Sequence, residues 1–364
     1  MDITELAILY FFHTLKGIGN KTLWIIKDEW GSFQNCFEAD SRSLYRSSLS
    51  VPIIDAIVDG RRRTNPSGLL EKLRDEDIKI CCVGDDDYPQ LLGSIFDPPY
   101  IFYYHGNIEI LKDFCIAIVG SRAASTYGKG QARRFGNELA NHGMVVVSGM
   151  ARGIDTEAHR GALEARGRTV AVLGSGVDVV YPPESVKLYT SICESGLVLS
   201  EFPPHAHPEP GNFPVRNRTI SGLCRGVLVV EAQKKSGALI TADFALEQGR
   251  EVFAVPGPIN SKNSVGTNFL IKQGACLVSG IEDILAEYGL NNQNDLRQVS
   301  QGELLFGLEV EELSVVEALG HEAEHFDILM GSTGLSTGAL SAVLLKLELK
   351  GIIKALPGNY YVKI

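Results

Sequence analysis

Seven short runs of apolar residues recur between residues 115 and 279, and a stretch of helical pattern separates each run from the next. Strands that are apolar along their whole length must be covered on both faces, as in a parallel sheet flanked by helices. The alternation therefore predicts an α/β fold with a doubly wound, mostly parallel, Rossmann-like sheet. The seven predicted strands are Cys115–Val119, Val145–Ser148, Thr169–Leu173, Leu197–Glu201, Gly226–Glu231, Glu251–Val255 and Ala275–Ser279.

Glycine and arginine follow several of these predicted strands. In an open parallel sheet the ligand crevice lies beyond the carboxyl ends of the strands. Glycine lets the backbone approach a phosphate, a helix N-terminus offers free N–H groups, and arginine adds a planar fork of donors. The alternative, that these glycines only make the turns of the fold, stays open. We expect an anion-binding groove made by Gly120, Ser121, Arg122, Gly149, Arg152, Gly153, Gly174, Gly176, Arg216, Asn217, Arg218, Ser236, Gly237 and Thr241.

The crevice lacks the motifs of well-known catalytic and nucleotide-binding sites. The patterns GxGxxG, GxxxxGK[ST] and GxSxG do not occur in the sequence. Asp155 and His159 are four residues apart, but no third catalytic partner is evident, and a capping aspartate with a core histidine explains the pair equally well. His205 and His207 lie in a proline-rich loop at a spacing that suits no common metal motif. We predict no catalytic residue, no metal site and no cofactor.

The net charge of −10 hides an uneven distribution along the chain. Residues 115–174 carry eight Lys or Arg against four Asp or Glu, whereas residues 291–327 carry nine acidic residues and Arg297. Because electrostatic potential depends on local charge, an anionic ligand of the α/β region is compatible with the acidic total. No apolar run reaches the roughly 18–20 residues of a bilayer span, and the N-terminus lacks the basic region of a signal peptide. The prediction is a cytoplasmic protein that does not bind membranes.

Residues 1–75 have the periodicity of helices, interrupted at Gly17-Ile18-Gly19. Two helices around such a turn resemble a helix-hairpin-helix or the related SAM-like bundle, where N–H groups at a helix start can meet a phosphate. Turn chemistry alone favours a small bundle in which the glycines only make the turn and the helices serve packing, without binding a phosphate. Residues 76–114 hold a short predicted strand, Ile78–Val83, and the segment Ile101–His105, and we interpret them as a connector that enters the main domain. Residues 76–290 are assigned to the Rossmann-like domain.

The C-terminal part of the sequence predicts an acidic linker, residues 291–322, and a winged helix, residues 323–364. In the winged helix a first helix begins at Phe326, and Ser336 caps a second helix, Thr337–Leu349, with one apolar stripe. A β-hairpin follows. The second helix contains no arginine, so base-specific reading of duplex DNA is poorly supported. An auxiliary DNA contact and the docking of a partner protein both stay open.

The sequence blocks of residues 85–290 resemble the bacterial DNA-processing protein A family (DprA, also called Smf), in that family's order and spacing. Among these blocks are IAIVGSR, SGMARGIDTEAHRGAL, TVAVLGSGVDVVYPP, FPVRNRTISGL and VEAQKKSGALITADFALEQGREVFAVPGPI. The resemblance implies a domain that binds and protects single-stranded DNA and loads a RecA-type recombinase during natural transformation. It also implies a homodimer formed through this domain, and no catalytic turnover.

The resemblance assigns phosphate contacts to the glycine- and arginine-containing loops. Asn217 would hold its loop or bond a phosphate, and Lys234 and Lys235 would extend the basic rim. Phe213 is either a platform on which a DNA base stacks or a core aromatic beside Pro214. Acidic residues near these loops would orient arginines or cap helices, and they are Asp155, Glu201 and Glu231.

An enzyme is the competing hypothesis. The same core resembles nucleotide phosphoribohydrolases of the lysine-decarboxylase-like type, which cleave the N-glycosidic bond of nucleoside monophosphates and carry a PGGxGTxxE block. The corresponding residues 236–243 are SGALITAD, without the second glycine and without the acid at that spacing. A dehydrogenase is excluded because the fingerprint glycines and the ribose-binding acid are missing.

Overall fold

The computed structural model describes residues 1–290, 310–319, 324–349, 353–356 and 358–363. The chain divides into two compact units, Met1–Leu296 and Arg297–Ile364. Within the described part of the first unit, nine strands form one sheet: β1 (Lys79–Cys82), β2 (Ile101–Gly106), β3 (Cys115–Val119), β4 (Val145–Ser148), β5 (Thr169–Val172), β6 (Leu197–Ser200), β7 (Gly226–Val229), β8 (Glu251–Ala254) and β9 (Cys276–Leu277).

The sheet has the strand order β1-β2-β6-β5-β4-β3-β7-β8-β9. Strands β3 to β9 all pair in parallel, which confirms the predicted doubly wound sheet. The chain runs outward from β3 to β6 on one side and returns to place β7 on the other side of β3. In open α/β sheets such a reversal of strand order creates the crevice that binds ligands. The fold therefore places a crevice beyond Val119 and Val229.

Residues 76–114, which the sequence suggested to be a connector, contribute two strands to this sheet. Strand β2 pairs antiparallel with β6, so that Tyr103 lies opposite Ser200, and β1 pairs antiparallel with β2. The pairing joins positions almost a hundred residues apart, and no local sequence pattern reports it. These residues are an edge of the sheet rather than a connector.

Six helices precede the sheet and share a hydrophobic core with β2 and β5. Leu9, Phe11 and Phe12 of the first helix are fully buried. The imidazole Nδ1 of His13 lies 2.8 Å from the hydroxyl of Tyr103 on β2. The helices are α1 (Ile3–Thr14), α2 (Asn20–Trp30), α3 (Phe33–Glu38), α4 (Ser41–Leu44), α5 (Val51–Arg63) and α6 (Pro66–Asp75).

The start of α2, which follows the glycine turn, packs against the segment before β2. The side-chain amide of Asn20 donates to Asp97 Oδ1 at 2.7 Å, and its oxygen accepts from the backbone N–H of Tyr100 at 2.7 Å. The indole N–H of Trp24 donates to the carbonyl of Pro98 at 3.0 Å. The helix start therefore serves packing, as turn chemistry favoured.

The remaining helices of the first unit connect and cover the strands. They are α7 (Gln90–Gly93), α8 (Thr126–Asn141), α9 (Ile154–Glu164), α10 (Val186–Ser195), α11 (Asn212–Gly222), α12 (Gly237–Glu247), α13 (Val265–Lys272) and α14 (Ile281–Glu287).

Helices α8 and α9 approach each other closely because each has a glycine at the contact. A Cβ added to Gly136 of α8 would lie 2.3 Å from the carbonyl oxygen of Ala158, and one added to Gly161 of α9 would lie 2.1 Å from the carbonyl oxygen of Arg133. Real Cβ atoms do not approach a backbone oxygen so closely, so the helices could not keep this distance with larger residues.

The second unit has the helices and the hairpin of a winged helix. The apolar stripe predicted for its second helix is buried, and it consists of Leu340, Val343, Leu344 and Leu347. Strands pair antiparallel in the order β10-β12-β11. The elements are helices Val310–Ala318, Phe326–Thr333 and Thr337–Leu349 and strands β10 (Glu324–His325), β11 (Ile353–Leu356) and β12 (Tyr360–Lys363).

Part of the predicted acidic linker is helical and belongs to the winged-helix core. Helix Val310–Ala318 lies within residues 291–322, and its Val315 and Val316 are buried with Leu329 and Leu340. Residues 291–309 and 320–322 of the predicted linker lie outside the described residues.

In the described ranges, no single helix has both the length and the apolar character needed to cross a bilayer. One pair, Phe326–Thr333 with Thr337–Glu348, meets the criterion jointly, but the two helices are bent by 109°.

We predict that Gly136→Ala destabilises the protein, because the added methyl group must push α8 away from α9. Overpacking of this kind costs about 1–3 kcal/mol. The matched control is Gly130→Ala in the same helix, where nothing lies within 4 Å of the added Cβ. There the better helix propensity of alanine is expected to stabilise by about 0.4–1 kcal/mol. Thermal unfolding of both variants checks the prediction, and equal melting temperatures would contradict it.

Candidate functional site

A cavity of about 690 Å³, called here the central pocket, lies beyond the carboxyl ends of the strands at the reversal of strand order. Its walls are the loops after β3, β4 and β7 and the first turns of α11 and α12. The residues predicted from sequence that line it are Gly120, Ser121, Arg122, Phe213, Arg216, Asn217, Lys235, Ser236, Gly237 and Thr241.

A smaller cavity of about 90 Å³, the side pocket, shares Arg122, Ala151, Tyr181 and Phe213 with the central pocket. Three further predicted residues line the side pocket, and they are Gly149, Arg152 and Gly174. The loops that follow β3, β4 and β5 thus meet at one place, as expected when parallel strands end at the same edge.

Four predicted residues line neither pocket. Gly153 borders a cleft on the outer side of α8 and α9. Gly176 packs against the proline-rich loop, and its backbone N–H donates to the carbonyl of Ala206 at 2.8 Å. Lys234 is exposed beside Lys235, and Arg218 is turned away into the protein.

The ring of Phe213 separates the two pockets and carries a guanidinium on its face. The Cζ atom of Arg122 lies 4.7 Å from the ring centroid, and that of Arg216 lies 6.0 Å away. The ring of Tyr181 is 5.8 Å from Phe213, tilted by 43°. Phe213 is only partly buried, so the structure places it on the wall of the site, with one cation and one aromatic neighbour accessible beside it.

Arg216 forms the floor of the site. Its side chain is 3% exposed, and its Nη1 donates to the carbonyls of Gly149, at 2.7 Å, and Val172. A Cβ at Gly149 would lie 2.3 Å from this Nη1, so any larger residue at this position would have to displace the Arg216 guanidinium from its carbonyl partners. Burial lowers the pKa of Arg216 to about 10, against the opposing effect of Asp155. The guanidinium remains charged at neutral pH and ties two strand ends together.

Arg218, two residues further along α11, has a different set of partners. Its Nη2 donates to the buried carboxylate of Glu201 and its Nη1 to the carbonyl of Asp97. The same carboxylate accepts from the hydroxyl of Thr219 at 2.9 Å. Burial raises the pKa of Glu201, with Arg218 opposing that effect. Arg218 therefore joins the end of β6 to the segment before β2, outside the central pocket.

Asp155 is a buried acid among these arginines. The side chain lines the central pocket, is 6% exposed, and accepts from the backbone N–H of Ala151 at 3.4 Å. Burial raises the pKa of Asp155 to about 6, although Arg216 and Arg122 favour the ionised form. The site therefore contains a carboxyl group that changes its charge near neutral pH.

The accessible positive potential comes from the rim of the central pocket. Arg122 and Lys235 are exposed and line it. Helix α12 begins at the same wall, where Ser236 caps it by accepting from the backbone N–H of Ala238. The amide of Asn217 donates to the carbonyl of Gly237 at 3.2 Å and fixes this helix start against α11. Two exposed cations and a helix N-terminus together favour anions.

Glu231 and Glu201 have the supporting roles that the sequence analysis expected. The carboxylate of Glu231 accepts from the backbone N–H of Ser125, at 2.9 Å, and from its hydroxyl, so it holds the N-cap of α8. His159 is a core residue, whose ring Nδ1 lies 2.7 Å from the hydroxyl of Thr169. Burial lowers the pKa of His159 to about 3. Among the described residues, no group of three or more His, Cys, Asp or Glu is arranged to hold a metal ion.

Tyr181 is a site residue that the sequence analysis did not single out. It is exposed, lines both pockets and neighbours Phe213. Its position in the loop after β5, shortly after Gly174 and Gly176, is the signal that could have indicated it, since this loop was expected at the groove.

Two models of protein families match the chain. The one described as DNA recombination-mediator protein A matches residues 79–289, and the one described as DprA winged helix domain matches residues 303–359. Among curated proteins, Protein Smf of Synechocystis sp. is 33% identical over 395 aligned residues, which cover 99% of both chains.

Two solved structures are similar in both fold and sequence. The X-ray structure of DNA processing protein A from Streptococcus pneumoniae superposes with a TM-score of 0.68 at 36% identity, covering 79% of this chain and 99% of that one. The protein of the same name from Helicobacter pylori superposes with a TM-score of 0.52 at 30% identity, covering 57% and 95%. That structure is described as giving insight into a single-stranded DNA binding mode.

We predict that Asp155→Asn stabilises the protein at alkaline pH and leaves its stability unchanged near pH 4. Because the folded chain raises the pKa of Asp155 from 3.8 to about 6, ionisation costs stability. The cost is absent below the unfolded-state pKa and complete above about pH 6, where it amounts to about 3 kcal/mol at 1.36 kcal/mol per pKa unit. Urea unfolding of both proteins over pH 4–8 checks this. A difference in unfolding free energy that does not vary with pH would contradict it.

Proposed function

Because the chain belongs to the DNA recombination-mediator protein A family, we propose that it binds single-stranded DNA in the central pocket. The observation that carries the proposal is the Arg122 guanidinium lying 4.7 Å from the centre of the Phe213 ring, at the border of both pockets. A cation beside an accessible aromatic face offers a contact to a phosphate and to a base of the same strand.

The backbone phosphates would be bound by the groups at the rim of the central pocket. Arg122 and Lys235 are exposed and able to move toward a phosphate, and the start of α12 presents Ser236 and Gly237. Lys234 would extend this rim. Arg216 would act from below, because its N–H groups are already bonded to backbone carbonyls. It contributes charge and holds the loop after β4 in place.

The bases would stack on Phe213, with Tyr181 as a neighbouring aromatic surface 5.8 Å away. Stacking uses the π-face that every base has, so such a site accepts any sequence. Duplex DNA keeps its bases paired inside the helix and offers no such face to the ring. We therefore propose a preference for single strands over duplex and little preference among sequences.

We further propose that the protein protects incoming single strands in the cytoplasm and loads a RecA-type recombinase onto them during natural transformation. Support for this part comes from family membership. We also propose that the protein has no catalytic turnover, since the central pocket pairs its buried acid with arginines and its lining, within the described part of the chain, shows no hydrogen-bonded pair of a nucleophile and a base. Steady release of free base from nucleoside monophosphates, lost on Glu231→Gln, would favour the phosphoribohydrolase hypothesis instead.

A homodimer is the last part of the proposal, and we place its surface at the β9 edge of the sheet. Within the described residues β9 pairs on one side only, with β8. Large apolar side chains around this edge are exposed: Ile259, Val265, Phe269 and Leu277. An unpaired edge with exposed apolar neighbours fits a second copy of the same surface.

We predict that Arg122→Ala and Phe213→Ala weaken single-strand binding in different ways. Loss of Arg122 removes about one phosphate contact, which lowers the magnitude of the slope of log K against log salt by about 0.7. Loss of Phe213 removes a stacked base, which costs about 1–3 kcal/mol without changing that slope. Fluorescence anisotropy of a labelled oligothymidylate over a salt series measures both quantities.

The matched control is Arg63→Ala, which removes the same charge from an exposed side chain of α5. It should bind like the parent protein. An unlabelled duplex should compete poorly. Parent-like binding by both site variants, or equal competition by the duplex, would refute the assignment of the central pocket.

For the dimer we predict that Phe269→Glu yields a monomer, because it places a charge in the apolar surface. Phe96→Glu, at a fully exposed phenylalanine outside this surface, is the control and should leave the dimer intact. Light scattering coupled to size-exclusion chromatography gives the mass of each. A parent protein that is already monomeric, or a dimeric Phe269→Glu variant, would contradict the proposed surface.

A further inference from the structure

A cleft of about 790 Å³, called here the basic cleft, lies on the outer side of α8, α9 and the start of α10. Its cationic side chains come from all three helices and from the loops that precede α9. The charged residues that line it are Arg122, Lys129, Arg133, Arg152, Arg160 and Lys187, with the acids Glu157, Glu164 and Glu184.

Every acid of the basic cleft already has an arginine partner. Glu164 binds Arg133, and Glu157 binds Arg160, with N–O distances of 2.7 Å in the second pair. Glu184 forms two hydrogen bonds with the guanidinium of Arg152.

Lys129 and Lys187 are exposed and form no ion pair or hydrogen bond through their side chains with any described residue. With Arg122, which contacts the ring of Phe213, the cleft has three cations more than it has acids. Its net charge suits an anion.

The basic cleft is continuous with the proposed DNA site. Arg122 lines the central pocket, the side pocket and the basic cleft, and Arg152 lines the side pocket and the basic cleft. A DNA strand that runs from Phe213 into the basic cleft therefore passes Arg122 or Arg152 at each border between the cavities. The Arg152–Glu184 pair stands at this passage with both side chains more than half exposed. Exposed ion pairs contribute little to stability because water screens both charges, so a phosphate can replace Glu184 at little cost.

The lining of the basic cleft fits a phosphodiester backbone better than an acidic protein. Leu163 and Leu188 are its only two apolar residues larger than alanine, and Leu188 is buried. Protein interfaces have an apolar, aromatic-rich centre that is depleted in lysine and glutamate. Contacts to a DNA backbone come instead from lysine and arginine that are spaced along a groove.

We propose that a single strand bound in the central pocket continues past Arg152 into the basic cleft, where Lys129 and Lys187 bind its phosphates. The proposal rests on single-strand binding at the central pocket and extends it by a second segment of the strand. Binding then depends on length, because a short strand fills the central pocket and only a longer one reaches the basic cleft.

The test compares Lys129→Ala/Lys187→Ala with the parent protein on two labelled oligothymidylates of roughly 6 and 15 nucleotides, within the site sizes of about 4–16 nucleotides known for single-strand grooves. For the long strand the salt slope should fall in magnitude by about 1.4, which is about 0.7 for each lost phosphate. For the short strand the affinity and the slope should equal those of the parent protein.

Two further variants sharpen the test. Lys72→Ala/Arg74→Ala removes the same charge from exposed residues of α6 and should bind both strands like the parent protein. Glu184→Gln frees Arg152 and removes a negative charge from the passage, so it should bind the long strand more tightly and with a steeper salt slope, and the short strand with a smaller change.

The outcomes separate this inference from the function on which it rests. If the parent protein binds neither strand, the proposed function fails. If it binds both but the lysine variant binds the long strand like the parent, or loses both strands equally, the central pocket stands and the path through the basic cleft is refuted. In that case an acidic partner protein becomes the next occupant to test.

Discussion

The site depends on one buried cation. Arg216 donates hydrogen bonds to the carbonyl of Gly149, which follows β4, and to that of Val172, the last residue of the neighbouring strand β5. Its charge is balanced by Asp155 nearby. Phe213 lies three residues earlier on the same helix, and residues three apart share a face of a helix. When Arg216 is anchored below the loops, Phe213 is therefore presented at their surface. The charge that holds the loops and the ring that borders both pockets are placed by a single turn of α11.

Much of the fold and the site could be predicted because the relevant signals are local. Apolar runs predict buried parallel strands, and parallel strands bring their following loops together whatever the connections are. This is why Gly120, Arg122, Phe213 and Ser236, far apart in sequence, could be expected at one pocket. Arg216 and Arg218 show the limit of such reasoning. Both are buried, yet one supports the pocket and the other pairs with Glu201, since their partners come from distant segments that no spacing reveals.

Two other regions were misjudged for related reasons. Within residues 76–114 the sequence predicted a short strand at Ile78–Val83, but β2 joins the sheet by pairing with β6, and no local pattern reports that pairing. Helix Val310–Ala318 contains several glutamates, and composition indicated a solvated linker. Its Val315 and Val316 nevertheless complete the core of the winged helix. In both cases a few apolar residues decide whether the segment packs into a core, whatever the composition around them. Burial depends on which side chains face a partner surface.

The pairing of β2 with β6 also has a consequence for folding during synthesis on the ribosome. Tyr103 acquires its neighbour on β6 only when Ser200 has been made, and α1 packs its buried aromatic residues on the same strand. At translation rates of about 5–20 residues per second, this apolar surface lacks its β6 neighbour for on the order of 5–20 s. The apolar surface shared by α1 and β2 is therefore incompletely covered on the nascent chain until β6 has been made.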